Sequence, residues 1–206
     1  MSLHDEEPAP SPEVVDRLRP IRLLCLDVDG VLSDGHLYFA GGEGDARFCQ
    51  RFSVRDGVGI KLLMQSGRQV AILSEGNILS GRVRAESLSI KHAYFGLRDK
   101  VAKFSALLAE LGLSKSQAAF IGDEVSDLPL LREVGLAATV PDAVWEVRRA
   151  VHYVTTRPGG GGAVAARDRA VGDGGRAPAA RRGLHRRDGA GHRTGWAVGG
   201  GADRRD

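Results

Sequence analysis

Two carboxylates one residue apart, Asp27 and Asp29, follow directly on the apolar run Leu23-Leu24-Cys25-Leu26, and Gly30 and a further acidic turn at Asp34-Gly35 come next. A short apolar run without polar alternation predicts a strand buried on both faces. Carboxylates at the carboxyl end of such a strand stand where open α/β sheets bind ligands. Two carboxylates facing one crevice repel, and a divalent cation relieves that repulsion. Hard oxygen ligands suit magnesium, which keeps waters and takes substrate phosphate as well. An Asp-x-Asp-Gly run also opens a calcium loop, but that loop needs a preceding helix and a polar residue where Val31 stands.

Two more apolar runs end in polar groups. Val70-Ala71-Ile72-Leu73 closes on Ser74, and Ala118-Ala119-Phe120-Ile121 runs into Gly122-Asp123-Glu124, with Asp127 beyond. Lys100 opens an amphipathic segment between them. A nucleophilic carboxylate, an acid/base carboxylate, a hydroxyl, a lysine and a further acidic pair suit phosphoryl transfer through an aspartyl-phosphate. That chemistry asks the protein for in-line placement and charge neutralisation. Plainer readings stand beside it. Ser74 could be a helix N-cap. Lys100 could be a solvated lysine, although a cation at a helix start opposes the dipole. Lys103 is its rival, deeper in the same helix.

The elements that must position these groups alternate strand and helix. Strands are predicted at Ile21–Leu26, Val70–Leu73, Ala93–Phe95, Ala118–Ile121, Leu136–Val140 and His152–Thr155. Helices are predicted from about Ile60 to Gly67, and over Ile78–Leu88, Lys100–Leu111, Leu128–Val134 and Ala143–Ala150. Val101, Phe104, Leu107, Leu108 and Leu111 share one face of the third of these, and Gly112 stops it. Such alternation predicts an α/β fold, a Rossmann-like doubly wound parallel sheet. The segments His36–Phe39 and Ala46–Phe52 flank a glycine-rich turn and predict a β-hairpin flap. Only about 20 residues separate Gly35 from Arg55, so no cap domain is expected there.

With 206 residues the chain fits one domain with appendages. Residues 1–19 read as a flexible lead-in, with Ser11-Pro12-Glu13 able to start one short helix, and residues 20–164 as the folded domain. Cys25 and Cys49 lack metal-ligand or redox spacing, and no signal peptide or membrane span is visible, so a cytoplasmic protein is expected. The net charge of +3 misleads, because residues 165–206 alone hold ten Arg and five Asp. The rest of the chain is therefore acidic, and a nucleic-acid partner is not expected. In that last stretch 34 of 42 residues are Arg, Gly, Ala or Asp. It reads as disordered, or as the product of a GC-rich gene read out of frame, and the missing final amphipathic helix favours the second.

The four motifs, Asp27-Val28-Asp29-Gly30-Val31, Ser74, Lys100 and Gly122-Asp123-Glu124-Val125-Ser126-Asp127, resemble in order those of the haloacid dehalogenase superfamily of phosphatases. The resemblance implies that Asp27 is the nucleophile and Asp29 the acid/base. It implies that Ser74 and Lys100 hold the phosphoryl oxygens. Magnesium would be ligated by Asp27, the Asp29 backbone carbonyl and Asp123, with Glu124 and Asp127 supporting.

Asp29–Gly35, Phe52–Ile60 and Thr155–Val164 further resemble the capless 3-deoxy-D-manno-octulosonate 8-phosphate phosphatases. That implies a sugar-acid phosphate substrate, contacts from Arg55, Asp56, Gly57 and Glu75, and a homotetramer. That family usually has Thr-Gly-Arg where this chain has Ser74-Glu75-Gly76. The glutamate is nearer to phosphatases of nonulosonic acid 9-phosphates, and to a related phosphatase-like module that oligomerises without catalysis. Both alternatives stay open at this point.

Overall fold

The computed structural model describes residues 9–42 and 47–165. Six strands form one parallel sheet: β1 (Leu23–Leu26), β4 (Gln69–Leu73), β5 (His92–Tyr94), β6 (Ala118–Ile121), β7 (Leu136–Thr139) and β8 (Tyr153–Val154). Their order is β5-β4-β1-β6-β7-β8. The chain thus builds outward from β1 to one edge and then returns to the other side of β1. That reversal opens a crevice at the carboxyl ends of the central strands.

Alternation along each strand divides the core between the two faces. Leu24, Leu26, Val70, Ile72, Ala119 and Ile121 point to one side, where they meet α1 (Pro12–Leu18), α2 (Val54–Gln65) and α3 (Leu79–Ser87). Leu23, Cys25, Ala71, Leu73, Ala118 and Phe120 point to the other, against α4 (Lys100–Leu111), α5 (Leu128–Leu131) and α6 (Trp145–Arg148). Phe104 and Phe120 are wholly buried there. Each such side chain stabilises the fold by about 1.5–3 kcal/mol.

The expected doubly wound sheet is therefore present, with no cap domain among the described residues. The hairpin is present too: β2 (Tyr38–Ala40) pairs antiparallel with β3 (Arg47–Cys49), and Phe39 meets Phe48 edge-on at 5.7 Å. A bridge between Ser33 and Phe52 closes its base.

The short helix that Ser11-Pro12-Glu13 could start is present over Pro12–Leu18, where Ser11 Oγ caps it and Val14 and Leu18 are buried against the sheet. Two helix readings need correction. The second helix begins at Val54, before the glycines at 57 and 59, because the Ser53 hydroxyl accepts from the Arg55 N–H and caps it. The last two predicted helices shrink to single turns at Leu128–Leu131 and Trp145–Arg148. The readings of residues 1–8 and of the tail from residue 166 onward fall outside the described residues. No described helix is long and apolar enough to cross a membrane.

Candidate active site

Parallel register brings three strand ends level. Leu26 lies beside Ile72 on one side and Ile121 on the other. One residue further, the Asp27 N–H continues the ladder to the Ile121 carbonyl at 3.0 Å. Asp27 is thus flanked by the turns that carry Ser74 and Asp123. Its Oδ1 accepts from the Val28 N–H at 2.7 Å, and its Oδ2 from Lys100 Nζ at 2.8 Å.

Lys100 is the first residue of α4, behind an Asp99 cap whose Oδ1 accepts from the Ala102 N–H at 2.9 Å. Its side chain is 4 % exposed. The ammonium also donates to Asp127 Oδ1 at 2.6 Å. Asp127 Oδ2 accepts from the N–H groups of Asp123 and Glu124 at 3.0 and 3.2 Å. One carboxylate therefore braces the loop that presents Asp123 and ties it to the lysine. The solvated-lysine reading of Lys100 is excluded.

Electrostatics in this cluster are unbalanced. Burial, then repulsion from Asp127, pushes Asp27 up to about 7 despite Lys100. Burial, then repulsion from Asp27, Asp127 and Glu124, pushes Asp123 up to about 8. Burial pulls Lys100 down, but the two carboxylates outweigh it and hold the ammonium above its ordinary value. Three buried carboxylates thus share one cation.

Single oxygens of Asp27, Asp123 and Asp127 all lie within 4.8 Å of one another. Asp123 Oδ1 is buried with no hydrogen-bond partner. Gly30, at φ +76°, lets the backbone turn against the Asp123 carboxylate where no side chain would fit. An orphaned carboxylate oxygen in an electron-rich, oxygen-only pocket fits a hard divalent cation such as magnesium.

The side chain of Asp29, expected to offer a metal only its backbone carbonyl, is not among these three. Asp29 Oδ1 instead accepts from Gln50 Nε2. Burial raises Asp29 above the ordinary carboxylate range, opposed by the Gln50 hydrogen bond and by Lys100. Ser74 is buried, and its Oγ accepts from the Gly76 N–H at 3.1 Å. It therefore ties the turn after β4 and caps no helix, since α3 starts only at Leu79. A side chain at Gly76 would run into Asp29 Oδ2 and lie 3.3 Å from Ser74 Oγ, so this turn closes directly on the Asp29 carboxylate.

The expected substrate contacts divide. Arg55 and Glu75 are exposed, Glu75 on the turn between Ser74 and Gly76 and Arg55 beside Gly162. Asp56 is buried, and its Oδ1 accepts from the N–H groups of Val164 and Ala165 at 2.8 and 3.0 Å. It anchors the backbone at residues 164–165. Gly57 packs closely against Arg84 of α3 and against Leu88 just beyond it, so that a side chain there would displace the Arg84 guanidinium. Asp56 and Gly57 thus each have a part in the fold. Gln50 was not legible as a site residue, because a glutamine at the end of a hairpin strand carries no local signal.

Fold and site define a hydrolase class, and comparison agrees. Residues 96–166 match the family model for haloacid dehalogenase-like hydrolases. The chain is 42% identical over 152 residues to 3-deoxy-D-manno-octulosonate 8-phosphate phosphatase KdsC of Yersinia pestis, covering 74% of this chain and 80% of that protein. The crystal structure of the corresponding phosphatase of Moraxella catarrhalis, in complex with magnesium, phosphate and KDO, superposes with a TM-score of 0.70 at 35% identity, covering 74% of this chain and 86% of that one. The cobalt-bound phosphatase of Haemophilus influenzae gives 0.69 at 37% identity, covering 75% and 90%. The chain belongs to the family of 3-deoxy-D-manno-octulosonate 8-phosphate phosphatases, within the haloacid dehalogenase-like hydrolases.

Proposed function

We propose that this chain is a magnesium-dependent phosphoric monoester hydrolase that cleaves 3-deoxy-D-manno-octulosonate 8-phosphate through an aspartyl-phosphate on Asp27. The observation that carries the reading is the buried Asp27, held by Lys100 at 2.8 Å beside the unpartnered Asp123 Oδ1, at the end of the central strand.

The Asp27 carboxylate attacks phosphorus in line, and the bond from phosphorus to the sugar oxygen breaks. Asp29 gives its proton to that departing oxygen. It then takes a proton from the water that hydrolyses the acyl phosphate, regenerating Asp27. Ser74 and Lys100 hold the phosphoryl oxygens. Asp27, Asp123 and the Asp29 carbonyl would hold magnesium, which would supply charge neutralisation. Asp127 and Glu124 support the loop of Asp123.

Against the reading as a non-catalytic module stand Asp27, Asp29, Lys100 and Asp123, all kept in this chain. A homotetramer accords with the hairpin, whose Leu37, Phe39 and Phe48 are 57, 64 and 56% exposed. Clustered apolar surface of this kind marks a protein contact. Residence in the cytoplasm accords with Cys25 and Cys49 both being free thiols.

Phosphate release from 3-deoxy-D-manno-octulosonate 8-phosphate and from a nonulosonate 9-phosphate, each with magnesium, tests the proposal. The 8-phosphate should be preferred. Preference for the 9-phosphate would transfer the role of Glu75 to the longer sugar acid, and release from neither would end the phosphatase reading.

A further inference from the structure

Gln50 links three elements. It follows β3 at the base of the hairpin and is half-buried. Its Nε2 donates to Asp29 Oδ1, and its Oε1 accepts from Ser80 Oγ of α3 at 2.8 Å. The direction of this chain follows from donor chemistry. An amide NH2 only donates, so the Asp29 oxygen that faces it, Oδ1, must accept and carries no proton toward it. The Ser80 hydroxyl can donate, and its hold on Oε1 fixes the amide in that orientation.

We infer that Gln50 is a positioning residue, which decides which oxygen of Asp29 delivers the proton. With Oδ1 occupied by the amide N–H, the proton of Asp29 resides on Oδ2. That oxygen faces the turn of Ser74 and Gly76, since a side chain at Gly76 would meet Oδ2 and lie 3.3 Å from Ser74 Oγ. Ser74 is the hydroxyl assigned to the phosphoryl oxygens, so Oδ2 is turned to the reacting group. A carboxylate rotates about a broad, nearly two-fold torsion, and only an external hydrogen bond makes its oxygens distinct. Gln50 supplies that bond from the flap, so the hairpin and the proton donor are mechanically joined.

This inference rests on the phosphatase reading with Asp29 as proton donor. In the step concerned, an Asp27 oxygen forms a bond to phosphorus and the bond from phosphorus to the leaving oxygen breaks. The electron pair stays on that oxygen, and the proton on Asp29 Oδ2 moves to it. A basic leaving group needs that proton. A nitrophenolate leaves without it.

The test measures kcat/KM for Gln50→Leu and Ser80→Ala on three substrates, each against the wild type: 3-deoxy-D-manno-octulosonate 8-phosphate, phenyl phosphate and p-nitrophenyl phosphate. Removing part of a general-acid contribution of about 10²–10⁴ should lower the first two by about tenfold or more in Gln50→Leu, and the third by less than about threefold. Ser80→Ala, which leaves the amide in place but frees its far end, should show the same order of losses on a smaller scale. Equal losses on all three substrates, or none on any, would overturn the inference and leave the phosphatase reading intact. Absence of phosphate release by the wild type would instead overturn that reading, and the inference with it.

Discussion

Metal-free protein should lose stability as the pH rises from about 5 to about 8.5, and magnesium should restore it mainly at the alkaline end. Folding moves Asp27 and Asp123 from an ordinary value of 3.8 to about 7 and about 8. Between the ordinary range and those values the folded chain holds protons that the unfolded chain has released. Stability therefore falls with pH across that window and is highest below it. At full ionisation the displacement of Asp123 alone corresponds to a penalty on the order of 5 kcal/mol. Magnesium binds the ionised oxygens and opposes this loss. At a hundredfold excess over its dissociation constant it adds about 2.7 kcal/mol. In a domain of this size that is a rise in melting temperature of about 5–10 °C. At pH 5 both carboxyls hold protons, apparent affinity falls by a thousandfold or more, and the rise should be under about 2 °C. Thermal melts at pH 5 and 8.5, in chelator or in magnesium at matched ionic strength, read both values. Equal rises at the two pH values, or none at pH 8.5, would refute the reasoning.

Lys100→Met leaves Asp27 and Asp127 buried without their shared cation. It should cost about 3–5 kcal/mol of stability in metal-free protein at alkaline pH, alongside loss of turnover. A melting temperature within about 2 °C of wild type would show that the ion pairs of Lys100 contribute little. Gly76→Ala should lower kcat/KM by about tenfold or more through displacement of the Asp29 carboxylate, while the melting temperature stays nearly constant. Unchanged kinetics would mean that Asp29 yields without consequence. Removal of residues 166–206 should leave kcat/KM unchanged, since every proposed site residue lies upstream; a large drop would give that segment a part in catalysis.

Much of this site could be read from the sequence because its main groups sit at the ends of buried strands. Leu23–Leu26 and Ala118–Ile121 are apolar on both faces, which fixes them in a central parallel sheet and leaves Asp27 and Asp123 at its carboxyl edge. Helix α4 was legible to its ends, with an apolar stripe from Val101 to Leu111 and Gly112 in the left-handed conformation after it. Helix α2 was harder. Gly57 and Gly59 argue against a helix locally, but close packing on Arg84 and Leu88 overrides propensity. Asp56 was read beside Arg55 as a binding group, and no spacing announces that it accepts from backbone N–H groups more than a hundred residues away. The pairing of Gln50 with Asp29 is likewise tertiary, and no spacing in the chain announces it. Asp127 was recognised as acidic support, but its bond to Lys100 required the geometry.

The central claim is that phosphate passes through Asp27, and one measurement meets it directly. Wild-type protein would be mixed with 3-deoxy-D-manno-octulosonate 8-phosphate and magnesium, quenched during turnover and reduced with borohydride, which converts an acyl phosphate on aspartate to homoserine. Mass spectrometry of the peptide spanning Leu23–Leu32 should find that conversion at position 27, and Asp27→Asn should show neither the conversion nor turnover. Conversion at another carboxylate, or sustained turnover by Asp27→Asn, would contradict the account.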